Sequence, residues 1–180
     1  QPAAMVVATT FELARYAASL VRVGYERAEH ATDLKEGRAG AYTPQPRELI
    51  PMPKSRGQAE KAFANAAVQV EAEYLMPVEH HNPMEPFATT VVRDEDGKLT
   101  VYDKTQGVQN VRDYLCHVFG CSKDDLRVVS PFVGGAFGLG LRPQYPVFLA
   151  VLAARELKRS VRVTLTRQQM FSLGHRPTTW

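Results

Sequence analysis

The sequence predicts an α+β fold, and three observations carry that expectation. Two apolar runs, 88–92 and 99–102, flank Arg93-Asp-Glu-Asp-Gly-Lys98, whose Asp-Gly step favours a tight turn between antiparallel strands. Val108, Val111, Leu115, Val118 and Phe119 recur at helical spacing, so a helix follows the hairpin. A glycine-rich stretch from Pro131 to Leu141 then separates a short strand, 126–129, from a second amphipathic helix marked by Tyr145, Phe148, Leu149 and Leu152. Alternation over 161–165 predicts a last strand, and a helix is expected to start near Gln168.

The front of the chain reads strand, helix, strand. Residues 4–9 form a short apolar run that ends at Thr9-Thr-Phe-Glu12, a capping box predicting a helix with Leu13, Ala17, Leu20 and Val21 on one face. Residues 23–29 alternate like a strand. Residues 32–54 hold four prolines and two glycines with little periodicity, as an exposed connection would. A second capping box, Ser55-Arg-Gly-Gln58, predicts a short helix with Ala59, Ala62, Phe63, Ala66 and Ala67 as its stripe, and 68–75 alternates as a strand.

With 180 residues and 44% hydrophobic content, the chain can bury a core. Its 22 basic and 19 acidic residues are interspersed, which argues against a nucleic-acid surface. The longest apolar run, 147–154, falls well short of the about 20 residues a membrane helix needs. The opening QPAAMVVA lacks the basic start of a signal peptide and has no initiator methionine, so a piece of a longer protein is expected. Cys116 and Cys121 lack the further ligands of a zinc site and read as free, buried thiols.

Chemistry is most readily placed at Val133-Gly-Gly-Ala-Phe-Gly-Leu-Gly140. Four glycines within 134–140, between a strand and a helix, let backbone N–H groups crowd an anionic or oxo ligand. The spacing matches neither a dinucleotide fingerprint nor a P-loop, and glycine content alone fits a flexible turn equally well. In Val78-Glu-His-His-Asn-Pro-Met-Glu-Pro-Phe87, adjacent strand residues His80 and His81 would point to opposite faces, and Pro83 and Pro86 exclude a metalloprotease helix. No metal ligand is assigned there; His80, His81 and Glu85 are expected to pin an irregular segment through hydrogen bonds. Gln106 lies where strand becomes helix. Arg142 and Arg176 are possible anion clamps, although surface glutamines and arginines are the default.

Taken in order, His80-His-Asn-Pro-Met-Glu-Pro86, Thr105-Gln106, Gly134-Gly-Ala-Phe-Gly138 and the stretch from Arg167 to Arg176 resemble the molybdenum-binding subunit of the xanthine dehydrogenase and aldehyde oxidase family. The resemblance implies that residues 1–31 are the C-terminal part of a hammerhead-like α/β domain, 32–54 a linker, and 55–180 the first part of a molybdopterin-binding α+β domain. It implies a molybdenum hydroxylase acting on an aldehyde or N-heterocycle, with molybdenum-molybdopterin as cofactor. Iron–sulfur clusters and FAD would sit on partner subunits. The protein would orient the cofactor and tune its charge.

By this resemblance Gln106 corresponds to the glutamine that hydrogen-bonds a molybdenum oxo ligand. Gly135, Phe137 and Gly138 correspond to the loop whose backbone touches the same ligands. Arg142 and Arg176 would face the substrate, where a permanent guanidinium charge stabilises negative charge developing on it. One departure bears on substrate. Purine-oxidising members follow Phe-Gly with Gly-Lys-Glu, and here the residues are Leu139-Gly-Leu141, so the purine-reading glutamate is a leucine. Leu139-Gly-Leu-Arg-Pro-Gln-Tyr145 is similar instead to the bacterial aldehyde-oxidising branch. No cysteine lies between Val133 and Arg142, against the carbon monoxide-oxidising branch.

The family's catalytic glutamate, in a Gly-Glu-x-Pro setting, is not in this chain, so the chain alone is expected to be inactive. A scaffold of the same fold that has lost catalysis is the reading from a different class. The expected compartment is the cytoplasm, or the periplasm where a partner subunit carries an export signal.

Overall fold

The computed structural model describes residues 2–45, 52 and 54–172. Contacts divide these into two compact units, one of residues 2–24 and 78–172, the other of the described residues in 25–77. The boundaries expected at 31 and 54 follow the family resemblance; contacts part the chain after residues 24 and 77.

The larger unit is built on four strands, β1 (Ala88–Arg93), β2 (Leu99–Asp103), β3 (Leu126–Val129) and β4 (Val161–Thr164), in the order β3-β2-β1-β4. The expected hairpin joins β1 to β2. Its turn is closed by Lys98 N–H donating to Asp94 Oδ1 at 2.7 Å, and Gly97 takes φ +86°, a conformation that disfavours any Cβ. β4 pairs antiparallel on the other side of β1, whereas β2 and β3 run parallel. A parallel pair needs a crossover, and α4 (Val108–Phe119) supplies it.

Register decides the core. Val91 faces Val101 on one side and Val161 on the other, and Leu99 lies beside Leu126, giving one apolar sheet face. Against it α4 lays Val111 and Leu115, and α5 (Tyr145–Leu157) lays Val147, Ala150, Val151 and Ala154. The stripe expected on α5 was the wrong face: Tyr145 is exposed, and Phe148, Leu149 and Leu152 are only half-buried. That helix is apolar nearly all round, so hydropathy does not mark its inner side; the small alanines and valines do, because they let it approach the sheet closely.

Toward the site, the inner row ends in polar residues. Thr89 Oγ1 donates to Asp103 Oδ1 at 2.5 Å, with both residues buried. Burial pushes the Asp103 carboxyl up from 3.8 to about 6, against the Thr89 hydrogen bond and the Lys104 charge, which pull it down. The folded state therefore holds this proton more tightly than the unfolded chain does. Stability from this group is full below about pH 4 and is lost as pH rises through about 6. Asp103→Asn, which keeps an acceptor for Thr89, is expected to flatten that slope, by about 2–3 kcal/mol between pH 4 and 7 in denaturant titrations. An unchanged slope would place the titration elsewhere.

The remaining local expectations fare unevenly. α1 (Phe11–Leu20) forms, capped one residue later than expected: Thr10 Oγ1 accepts Leu13 N–H at 3.2 Å. The strands expected at 4–9, 23–29 and 68–75 are irregular, and Val68, Val70 and Tyr74 lie exposed. Alternation alone does not make a strand when no partner edge is available. In the smaller unit, the expected connection holds a one-turn helix, α2 (Leu34–Gly37), and a 3-10 turn, Arg38–Gly40. α3 (Ala59–Ala64) starts at Gln58, with no side-chain cap from the expected box. Every described residue from 25 to 77 is exposed. No helix among the described residues is long and apolar enough to cross a membrane.

Candidate functional site

The glycine loop between β3 and α5 is fixed from below and open above. Ala136 and Leu139 are buried, Leu139 in a small cluster with Phe87 and Met170. Between them Phe137 stands 73% exposed, so the loop presents its aromatic outward. Gly134, Gly135, Phe137 and Gly138 all have positive φ, at +53°, +83°, +54° and +91°. A bulky non-glycine residue in that region is strained and persists only where its surroundings enforce it.

Four neighbours do the enforcing. Thr105 Oγ1–H and Gln106 N–H both donate to Gly140 O, at 3.0 and 2.9 Å. A Cβ at Gly140 would lie 3.4 Å from Gln106 N and Oε1, so the glutamine rests against this glycine. On the other flank Glu85 N–H donates to Gly134 O at 3.1 Å, and a Cβ on Gly134 would fall inside the Glu85 side chain. Beneath, the Lys104 ammonium donates to Gly135 O at 2.7 Å and sits 4.7 Å from the Phe87 ring centre.

The segment carrying Glu85 is held from a distance. Arg167, at the start of α6 (Arg167–Ser172), donates through Nη1 to Asn82 Oδ1 and Pro83 O, both at 2.7 Å, and through Nη2 to Met84 O at 2.6 Å. Asn82 has φ +39°, so this irregular bend is secured by a rigid fork of donors. Of the two histidines expected to pin this segment, His81 does not do so through Nδ1. The His80 ring packs edge-on against Phe171 at 5.2 Å, and His81 Nδ1 is buried with no hydrogen-bond partner. A planar guanidinium satisfies several carbonyls at once, which an imidazole with two nitrogens cannot. Among the described residues, no three His, Cys, Asp or Glu side chains gather as metal ligands.

Of the residues singled out from sequence, Gln106, Gly135, Phe137 and Gly138 thus come together around one loop. Arg142 is exposed just after the 3-10 turn Leu139–Leu141 that ends it. Arg176 lies outside the described residues. Lys104 escaped sequence reading. Parity along β2 puts Asp103 inward with Leu99 and Val101, but nothing local shows that the next side chain, Lys104, is also buried.

Burial lowers the Lys104 pKa, Glu85 acts to raise it, Arg167 lowers it further and Asp103 raises it. Lys104→Met is expected to cost about 1–3 kcal/mol and to speed amide exchange through 134–138, because Gly135 O loses a charged donor. Unchanged exchange there, with stability reduced, would assign Lys104 to packing alone.

A run of backbone at positive φ, held against a glutamine and backed by a buried cation, could receive an oxo-bearing or anionic group. The profile of the molybdopterin cofactor-binding domain matches residues 42–179. The chain belongs to that family. This chain is 39% identical over 180 residues to the aldehyde oxidoreductase molybdenum-binding subunit of Escherichia coli, covering 99% of this chain and 24% of the relative. It spans about a quarter of the length of such curated relatives. Quinoline 2-oxidoreductase from Pseudomonas putida 86 shares its fold at TM-score 0.73 and 24% identity, over 91% of this chain and 22% of that one. Aldehyde oxidoreductase from Desulfovibrio gigas superposes at TM-score 0.61 and 28% identity, over 68% and 14%. The family match begins at residue 42, within the stretch expected to be a linker.

Proposed function

We propose that this molybdopterin-binding chain serves in the catalytic subunit of a molybdenum hydroxylase that oxidises an aldehyde, or failing that an N-heterocycle. The observation that carries the reading is the joint placement of Gln106 and the loop Gly135–Gly138 through the shared Gly140 carbonyl. The Gln106 amide and the backbone N–H groups near Phe137 and Gly138 would hold the group's oxygen ligands, and the glycines leave room for close approach. Bound there, molybdenum-molybdopterin supplies oxygen insertion at an electron-poor carbon and uptake of two electrons.

What this chain's residues contribute is orientation and charge. Gln106 fixes one ligand direction, Phe137 offers an apolar wall, and Arg142, with Arg176, presents positive charge to the substrate. Leu141 is 51% exposed, so the position where a purine reader would hydrogen-bond is apolar, which supports an aldehyde over a purine. Electrons would pass to iron–sulfur clusters and FAD on partner subunits, with the cytoplasm as the working compartment, or the periplasm by export on a partner.

Metal and pterin analysis of the natural full-length protein, with a panel of aromatic aldehydes, N-heterocycles and xanthine and an artificial electron acceptor, tests this. Molybdenum with aldehyde turnover is the expected result; absence of both metal and pterin would overturn the proposal. Gln106→Ala should lower turnover about 10–100-fold, as loss of an orienting partner does. Because Gln106 is exposed, thermal stability should hold.

A further inference from the structure

Far from that loop, the end of α4 places two thiols together. Gly120 takes the left-handed conformation, φ +60°, and ends the helix. Cys121 N–H then donates back to Cys116 O at 3.2 Å. This is the six-to-one bond of a Schellman motif, in which Cys116 and Cys121 hold the two positions whose side chains touch across the helix end. Ordinarily two apolar side chains fill them. Here both are free cysteines, both half-buried against the core, and joined through the backbone bond from Cys121 N–H to Cys116 O.

The two differ in access. Cys121 lines a cavity of about 290 Å³ together with Lys98, Leu99, Phe119, Val151 and Arg155; Cys116 does not. Lys98 and Arg155 line the cavity together with Asp96 and Asp125, so the groups around Cys121 are mixed in sign, suited to a small reagent that carries both ammonium and carboxylate groups. Burial, then the neighbouring Cys121 thiol, push the Cys116 thiol up, which leaves less of it as thiolate.

We propose that Cys116 and Cys121 form a two-thiol oxidation site that a low-molecular-weight disulfide converts to an intramolecular disulfide. Cys121, as thiolate, attacks one sulfur of the reagent, forming a mixed disulfide and expelling one thiolate, which takes up a proton. Cys116 then gives its proton to solvent and attacks the Cys121 sulfur, expelling the second thiolate, which is protonated in turn. In sum the reagent and two protein thiols become two small thiols and one protein disulfide: two electrons leave the cysteines and reduce the reagent. The product fixes the helix end to the chain entering β3, a turn already closed by the backbone bond.

The test treats the intact native protein with glutathione disulfide at neutral pH, then blocks free thiols and maps peptides. Trypsin leaves both cysteines in the peptide 113–123, expected to be lighter by two hydrogens and free of blocking reagent. Further cleavage after Phe119 separates them, and the halves should stay joined until reduced. Cys116→Ser should retain a stable glutathione adduct on Cys121, whereas Cys121→Ser should be modified at least tenfold more slowly than the unsubstituted protein. A lasting adduct in the unsubstituted protein, a disulfide between two molecules, or linkage only after denaturation would each overturn the proposal. The peptide readout is independent of cofactor and substrate, so its failure leaves the enzymatic reading untouched.

Discussion

Replacing Arg167 with alanine is expected to cost about 2–4 kcal/mol of folding stability, because one guanidinium serves three acceptors on the bend at 82–84. Pro83 is buried, so its carbonyl is poorly placed to recruit water as a substitute. Arg167→Lys should recover less than half of the loss. An ammonium is a point donor, and the acceptors are spread across a fork. Denaturant unfolding of both variants decides the matter: equal stability of the lysine variant and the parent would mean that charge, not geometry, holds the bend. In full-length protein, the same variants should reduce molybdenum content, since Glu85 and hence Gly134 ride on this segment.

Gly134→Ala is the second large effect. Two penalties combine: a left-handed residue with a Cβ costs about 1–2 kcal/mol, and the new methyl meets Glu85, costing about 1–3 kcal/mol more. The Cβ of Glu85 is among the atoms met, so rotating its side chain does not relieve the overlap. Pairing the change with Glu85→Gly, which removes that Cβ, separates the penalties. The double variant should regain the steric part and leave the backbone part, a coupling of about 1–3 kcal/mol. Simple additivity would show that Glu85 does not set the space over the loop.

Both effects depend on contacts across long stretches of sequence, and this explains what could be read in advance. The hairpin, α4, β3 and the start of α5 were legible because each is announced locally, by Asp96-Gly97, by a stripe at helical spacing, or by a glycine or proline at an end. The expected strand at 68–75 alternated just as well, yet it has no partner edge. Gln106 and the glycine loop were named by motif. That they share the Gly140 carbonyl was not visible, since 35 residues separate Thr105 from Gly140.

By itself, then, the sequence determined the α+β class, the turn chemistry and the motifs that tie the chain to the molybdopterin-binding family, all of them properties of neighbouring residues. Only the tertiary structure decided which face of α5 is inside, that Lys104 lies buried under the loop, and that Arg167 reaches back to secure the bend. Those outcomes are set by which surfaces meet. Burial and hydrogen-bond satisfaction are properties of the packed whole, and residues 83 to 85 apart in sequence carry no local sign of the partner they will find.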